Sequence, residues 1–162
     1  MRRFVPMMFA LAALTTPLAA QGSAGAAHPD FVGTWKLDVK KSVGTGLPIS
    51  MTLTVAKDAK VMTIRKVGTT EMGEQGSTLI VNLDGSPTKN TLTSSGPSVD
   101  FNLTGSWDGP VYVVKTKANI GGQSLDQTDR WTLNASRKQL TIATTLVAGG
   151  QTKVQTLVFD KQ

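Results

Sequence analysis

The stretch FVGTWKLD, residues 31–38, decides the fold that this sequence predicts. Apolar and polar side chains alternate in it, which is typical of a β-strand with one buried face. The predicted inner face consists of every second residue, Phe31, Gly33, Trp35 and Leu37. Glycine weakens a strand and tryptophan is the largest side chain to bury, so the pair indicates a close crossing next to a large plug. We therefore expect Gly33 and Trp35 to be structural residues.

The same two-residue alternation continues along the rest of the chain. It predicts ten strands, at roughly 31–38, 50–57, 60–67, 77–83, 88–94, 98–107, 111–119, 124–133, 139–147 and 151–160. Between them, Asp84–Gly85, Asp108–Gly109 and Gly121–Gly122 supply the positive φ angles of tight hairpins. No window after the first 20 residues has the spacing of an amphipathic helix. Two longer connections, 41–49 and 68–76, are expected to form the rim of a binding site.

A meander of ten short strands favours closure, because closure removes the two exposed edges of a sheet. The predicted fold is therefore an all-β, antiparallel, up-and-down barrel. The connection after the first strand is too short and too rich in glycine and proline to form two helices, so no helical lid is expected. The G-T-W of residues 33–35 is echoed by G-S-W at 105–107, and we expect Trp107 to be a second structural tryptophan.

The beginning of the chain is typical of an export signal. Arg2 and Arg3 precede an apolar run that ends at the small residue Ala20, and two prolines interrupt this run. We expect a signal peptide over 1–20, a flexible lead-in over 21–29 and one barrel domain over 30–162. The predicted location is periplasmic or extracellular, with no membrane span after signal removal, because the run is short.

Composition excludes several classes of function. The chain has no cysteine, so disulfides and thiolate chemistry are excluded. Its net charge of +6 falls to +4 without the two arginines of the signal. The basic residues are scattered and are not interleaved with aromatic ones, so a nucleic-acid partner is not expected. We expect a monomer.

The sequence offers no set of residues for catalysis. Its one histidine, His28, lies in the lead-in and is expected to be a disordered surface residue. Glu71 and Glu74, the only glutamates, lie in the 68–76 connection and are expected to be solvated. No catalytic residue, metal site or cofactor is therefore predicted.

Three short motifs resemble a known group of proteins. They are GTWKLD (33–38), WDG (107–109) and DRWTL (129–133), and the chain resembles small exported bacterial lipocalin-like proteins of the calycin superfamily over 30–162. The first strand also resembles that of the fatty-acid-binding proteins. The resemblance implies an antiparallel barrel with an apolar interior.

The resemblance has limits at the ligand site. Fatty-acid-binding proteins hold the carboxylate with an arginine and a tyrosine on the last strand, and the last strand here, 151–160, has neither. In lipocalins the first-strand tryptophan packs under a basic side chain from a late strand. The resemblance makes Arg130 the first candidate for that structural role and Lys153 the second.

The one dense polar and aromatic cluster is LDQTDRWTLN, residues 125–134. Alternation places Asp129 and Trp131 on one face. An unpaired buried carboxylate is costly, so we expect Asp129 to pair with Lys115 or Lys117 across the ladder, or to recognise a ligand. The predicted lining of the interior is Phe101, Leu103, Tyr112, Lys115, Lys117 and Trp131.

These features lead to three hypotheses. The first is a non-catalytic barrel that binds a small apolar or amphipathic ligand in its interior. The second is a closed structural barrel that acts through protein–protein contacts. The third and weakest is an enzyme of hydrolase or other type.

Overall fold

A computed structural model describes residues 28–93 and 98–162. In these ranges the chain is all-β and antiparallel, as predicted. The ten strands are β1 (Gly33–Leu37), β2 (Ser50–Lys57), β3 (Val61–Thr70), β4 (Gly73–Asn82), β5 (Thr88–Leu92), β6 (Val99–Asp108), β7 (Val111–Ile120), β8 (Gln123–Leu133), β9 (Gln139–Ala148) and β10 (Gln151–Lys161). The predicted signal peptide and residues 21–27 of the lead-in lie outside the described residues. No helix in the described part of the chain is long and apolar enough to cross a membrane.

The strands form one sheet in the order β4-β3-β2-β1-β10-β9-β8-β7-β6-β5. Eight of its junctions join strands that follow each other in the chain. The remaining junction pairs β1 with β10 and places Trp35 opposite Lys161. The sheet curls until β4 and β5, its two edges, also touch, which gives a nearly closed barrel.

The predicted loop at 68–76 is wrong. β3 and β4 continue through it, with Gly68 opposite Gln75 and Thr69 opposite Glu74. Only Glu71 and Met72 remain in the turn. Residues 68–76 are mostly polar or glycine, so they lack the apolar alternation that predicts a strand. Inward side chains near a barrel rim need not be apolar. The backbone ladder holds this hairpin, and the Thr70 hydroxyl bridges its turn by accepting from the Met72 N–H over 3.2 Å and donating to the Gly73 carbonyl over 3.3 Å.

The other long connection follows β1 and runs beside β10. Val43 and Thr156 exchange two backbone hydrogen bonds of 2.8 and 2.7 Å. The Ser42 hydroxyl accepts a bond of 3.0 Å from the Val158 N–H and donates one of 2.8 Å to the Asp38 carbonyl. This segment contains no helix. It therefore lies along β10 as an ordered strap.

One end of the barrel, which we call the floor, is filled by aromatic side chains. Trp35 and Trp131 are 0% and 1% exposed. The Trp35 Nε1–H donates to the Phe31 carbonyl over 2.9 Å, and the Phe31 ring meets Trp131 edge-on at 5.7 Å between centroids. Burial of rings of this size is a large apolar contribution to stability. Trp35 thus plugs the floor, as the first strand predicted.

Both G-x-W motifs make room for a side chain from a neighbouring strand. A Cβ at Gly33, whose φ is +139°, would lie 3.1 Å from Cε of Lys161. A Cβ at Gly105 would overlap the hydroxyl of Tyr112 and lie 2.7 Å from its Cζ. The group that approaches Gly33 closely is therefore the Lys161 side chain, and the expected crossing by another backbone segment is not found there. Trp107 stacks on His28 at 4.1 Å and packs against Tyr112 at 4.8 Å, so His28, expected to be disordered, is held at the floor.

The junction between β4 and β5, which we call the seam, has no backbone ladder. Asp84–Gly85 forms a turn with a φ of +79° at Gly85, but the predicted hairpin does not follow it. Side chains replace the ladder: Asn90 Oδ1 accepts from the Ile80 N–H over 2.8 Å, and Asn90 Nδ2 donates to the Ile80 carbonyl over 2.9 Å. The barrel is therefore closed here by polar side chains.

Candidate ligand-binding interior

The inward face of the barrel changes character along its axis. Away from the floor, the inward side chains are half-buried and of mixed polarity, and we call this part the open half. It includes Met51, Lys66, Ser77, Phe101, Thr116, Ala118, Gln127 and Gln155. Since these residues lie on the interior side of the strands, their partial exposure indicates that solvent reaches the interior from this end.

Two pockets meet at the wall of the open half. A pocket of about 170 Å³ lies at the rim and includes Pro48, Met51 and Gly68 in its lining. A second pocket of about 390 Å³ lies at the seam, between β4 and β5. Both include Lys66 and Leu92, so they adjoin each other. The described interior is thus bordered by adjoining pockets at the rim and at the side wall.

A buried carboxylate lies deeper in the barrel. Asp129 is 5% exposed and accepts a bond of 2.7 Å from the Thr144 hydroxyl. Gln127 Nε2 lies 3.0 Å from both of its oxygens. These donors satisfy most of its hydrogen-bonding capacity, which offsets the cost of burial. Asp129 and Trp131 are both buried and share one face of β8, as alternation indicated, and this face is the inner one.

The predicted contacts between Asp129 and the lysines of β7 are wrong. Lys115 and Lys117 point outward, and Lys117 Nζ lies 3.5 Å from Asp126 on the outer surface. The inward residues of β7 are instead Tyr112, Val114, Thr116 and Ala118. Alternation misled here because Tyr112, Val113 and Val114 are all buried, so both faces of β7 carry apolar residues. The two lysines do not line the interior.

The other predicted lining residues point inward at two different levels. Leu103, Tyr112 and Trp131 are 0–3% exposed and pack in the core at and above the floor. Phe101 is half-buried and lies in the open half, opposite Ala118. Of the predicted set, Phe101 alone borders the part of the interior that solvent reaches.

The prediction that Arg130 covers Trp35 is also wrong. Arg130 points outward and pairs with Asp108, with 2.7 Å between Nη2 and Oδ2. Lys161 has that role instead: its Nζ lies 5.3 Å from the centroid of the Trp35 ring. Lys153, the second candidate, faces the interior near the rim, opposite Leu146. The register of β10 against β1 decides this, because it places Lys161 beside Trp35.

Sequence reasoning missed Lys66, although a signal was present. In VMTIRKV, residues 61–67, Met62, Ile64 and Lys66 occupy alternate positions. A lysine that continues an apolar face indicates a cation at the interior. In the structure Lys66 lies opposite Leu53 on the inner side of the wall and is half-buried.

Burial shifts the pKa of Tyr112. Its hydroxyl is buried and has no hydrogen-bond partner in the described part of the chain. Burial disfavours the charged phenolate and raises the pKa of Tyr112 above 10.0. Within 28–93 and 98–162, no three acidic or histidine side chains lie close enough to hold a metal ion.

Comparison with protein-family models and with curated proteins gives no match. Solved structures of similar fold do exist. The fluorescent protein UnaG is 17% identical, with a TM-score of 0.54, over 82% of this chain and 97% of its own. A secretory abundant heat soluble protein from Ramazzottius varieornatus is 12% identical, with a TM-score of 0.52, over 82% and 95%. Zebrafish ileal bile acid-binding protein, complexed with cholic acid, is 14% identical, with a TM-score of 0.50, over 82% and 98%. At these identities the likeness shows the fold alone, an antiparallel barrel of ten strands.

Proposed function

We propose that this protein is a non-catalytic binding module that holds a small apolar or amphipathic ligand in the open half of its barrel. The observation that carries the proposal is the change along the interior. The floor is packed with aromatic rings, whereas the open half has half-buried, mixed inward side chains beside pockets of about 170 and 390 Å³. Concave sites with apolar walls and a few polar groups are typical of small-molecule binding.

Two further observations support this proposal. Apolar side chains are exposed around the rim, among them Ile49 at 60% and Met72 at 85%, and they offer an apolar ligand a first contact. One protein of similar fold, the zebrafish bile acid-binding protein, is complexed with cholic acid, an amphipathic molecule. We further propose that the chain is exported and acts as a monomer in the periplasm or outside the cell.

Binding of N-phenyl-1-naphthylamine, a neutral dye that fluoresces in apolar sites, tests the proposal. Ala118→Trp fills the open half, because Ala118 faces inward opposite Phe101. Ala56→Trp is the matched control, since Ala56 lies on the exposed outer face of β2. We expect dye binding to the wild type and to Ala56→Trp, and loss of binding in Ala118→Trp with its β-sheet circular dichroism retained.

Mass spectrometry of the natively purified protein provides an independent test. A co-purifying lipid or other apolar molecule supports the proposal, and its release on addition of the dye places it in the same site. Equal dye binding by all three proteins means that the dye binds outside the interior. Absence of both dye binding and a co-purifying molecule contradicts the proposal and favours the closed structural barrel that acts through protein contacts.

A further inference from the structure

The seam is closed at one level and open at another. Nearer the floor, Asn90 bonds to the backbone of Ile80, and the Thr88 hydroxyl accepts a bond of 3.0 Å from the Asn82 N–H. Nearer the rim, no such bridge joins the described residues of β4 and β5, and the pocket of about 390 Å³ lies there. The wall therefore has a slot directly above its polar clamp.

The lining of this slot comes from both faces of the wall. Arg65, Thr78 and Thr91 face outward, whereas Lys66, Ser77 and Leu92 face inward. Successive residues of a strand point to opposite faces, so Arg65 and Lys66 place one cation on each side of the same wall. A group seated in the slot thus meets positive charge from outside and from inside.

These cations are free to bind an anion. Neither Arg65 nor Lys66 takes part in an ion pair with any residue of the described chain. The lining includes the hydroxyl side chains of Ser77 and Thr78, and it contains no acidic residue. β4 and β5 are also the edges of the sheet, so backbone N–H groups without a ladder partner border the slot. Such groups bind anions.

The adjoining pocket gives an apolar chain a path inward. It shares Lys66 and Leu92 with the slot and continues to Met51 on the interior side. Deeper in the barrel lies the buried carboxylate of Asp129, which repels an anionic head group. An anionic head group is therefore more stable at the wall than at the floor.

We infer that the seam is a side entrance where Arg65 and Lys66 bind the anionic head group of an amphipathic ligand whose apolar chain occupies the open half. This inference rests on the proposed function. The head group is a carboxylate, sulfate or phosphate. Arg65 supplies a planar pair of donors from outside, and Lys66 supplies a single charge from inside.

Laurate and dodecanol test the inference, because they share a chain length and differ in charge. Their binding is measured as displacement of N-phenyl-1-naphthylamine from three proteins. These are the wild type, the variant Arg65→Gln/Lys66→Gln and the control Arg137→Gln/Lys138→Gln. The control removes the same two residue types from the turn between β8 and β9, at the floor end. We expect Arg65→Gln/Lys66→Gln to bind laurate about tenfold more weakly than the wild type, since the loss of a hydrogen bond to a charged group weakens binding by about that factor. Dodecanol binding is expected to stay within about twofold in both variants, a much smaller change than the loss of a charged hydrogen bond.

Ionic strength and Lys153 provide two further readouts. Added salt weakens laurate binding to the wild type and leaves dodecanol binding unchanged, because screening acts on charge. Lys153→Gln is expected to bind laurate like the wild type, since Lys153 lines neither pocket. A loss of laurate binding in Lys153→Gln, or in the Arg137 and Lys138 variant, overturns the inference.

The remaining outcomes separate this inference from the proposed function. Dodecanol and dye binding with no effect of Arg65→Gln/Lys66→Gln on laurate leaves the interior site in place and refutes the anion site. A wild type that binds neither the dye nor dodecanol refutes the proposed function itself. Equal weakening of laurate and dodecanol in the variant shows a general distortion of the barrel and also counts against the anion site.

Discussion

Asn90 and Ile80 form the pair of hydrogen bonds that a backbone ladder would otherwise form between β4 and β5. The Asn90 carboxamide accepts from the Ile80 N–H over 2.8 Å and donates to its carbonyl over 2.9 Å. An amide side chain has the same donor and acceptor as a peptide group, so one residue can replace one rung of the sheet. Asn90 is 7% exposed, so this rung is protected from water.

Asn90→Ala is therefore expected to lower the free energy of unfolding by about 1–3 kcal/mol, because two backbone groups lose their partners. Asn102→Ala is the matched control, since Asn102 lies on the exposed face of neighbouring β6. Urea unfolding followed by circular dichroism measures both. If the two variants unfold at the same urea concentration, the hydrogen bonds of Asn90 do not contribute to stability.

Trp35→Ala is expected to cost about 3–5 kcal/mol, as truncation of a large core side chain does. Lys161→Ala removes the cation over the ring and leaves the plug, and its cost is expected to be below about 1 kcal/mol. Thermal unfolding measures the difference. A Trp35→Ala protein that melts like the wild type but no longer binds the dye would show that Trp35 belongs to the ligand site.

Thr144→Val is expected to destabilise the fold by about 1–3 kcal/mol, because Asp129 loses a hydroxyl donor inside the barrel. Thr145→Val is the control for the same chemical change, since Thr145 is exposed on the outer face of β9. Unfolding in urea compares the two. Equal stabilities would mean that Asp129 does not depend on the 2.7 Å bond from Thr144.

Tyr112 is the only tyrosine of the chain, so ultraviolet titration of tyrosinate reports on this residue alone. Its folded pKa is raised by burial, so the native protein is expected to form tyrosinate at higher pH than the urea-unfolded protein. The unfolded state loses this proton first. The contribution to stability is therefore complete below pH 10.0 and is lost as the pH rises through the folded pKa.

Tyr112→Phe provides the control for that titration, because it has no phenol. It is expected to be at least as stable as the wild type, since it removes a buried hydroxyl that has no protein partner in the described chain. Coincident titration of native and unfolded protein would contradict the burial of this side chain. A marked loss of stability in Tyr112→Phe would show that the hydroxyl has a partner after all.

Local pattern was enough to predict most of the fold. Alternation and glycine turns are properties of neighbouring residues, and they located ten strands and the inward faces of β1, β6 and β8. Alternation failed on β7, where Tyr112, Val113 and Val114 are buried in succession. Both faces of that strand are apolar, so the pattern could not distinguish inside from outside.

The site was harder to predict because it depends on distant strands. The partner of Trp35 is set by the register of β10, and the replacement of a ladder by Asn90 requires two strands that meet only after the sheet curls. Lys66 shows the opposite case. Its position after Met62 and Ile64 marked an inward cation, and a search for charged residues on apolar faces would have found it.

The strand order also bears on how the chain folds. β1–β4 and β5–β10 are two meanders built from hairpins between successive strands, and such local contacts form quickly. Pairing of β1 with β10 must instead bring Trp35 to Lys161 from the far end of the domain, with the large loop-closure entropy that this separation implies. We expect this junction to form in the slow, rate-limiting phase of refolding. Until then β1 and β10 are unpaired edges in addition to β4 and β5, which makes this interval the one in which the chain is most prone to aggregate.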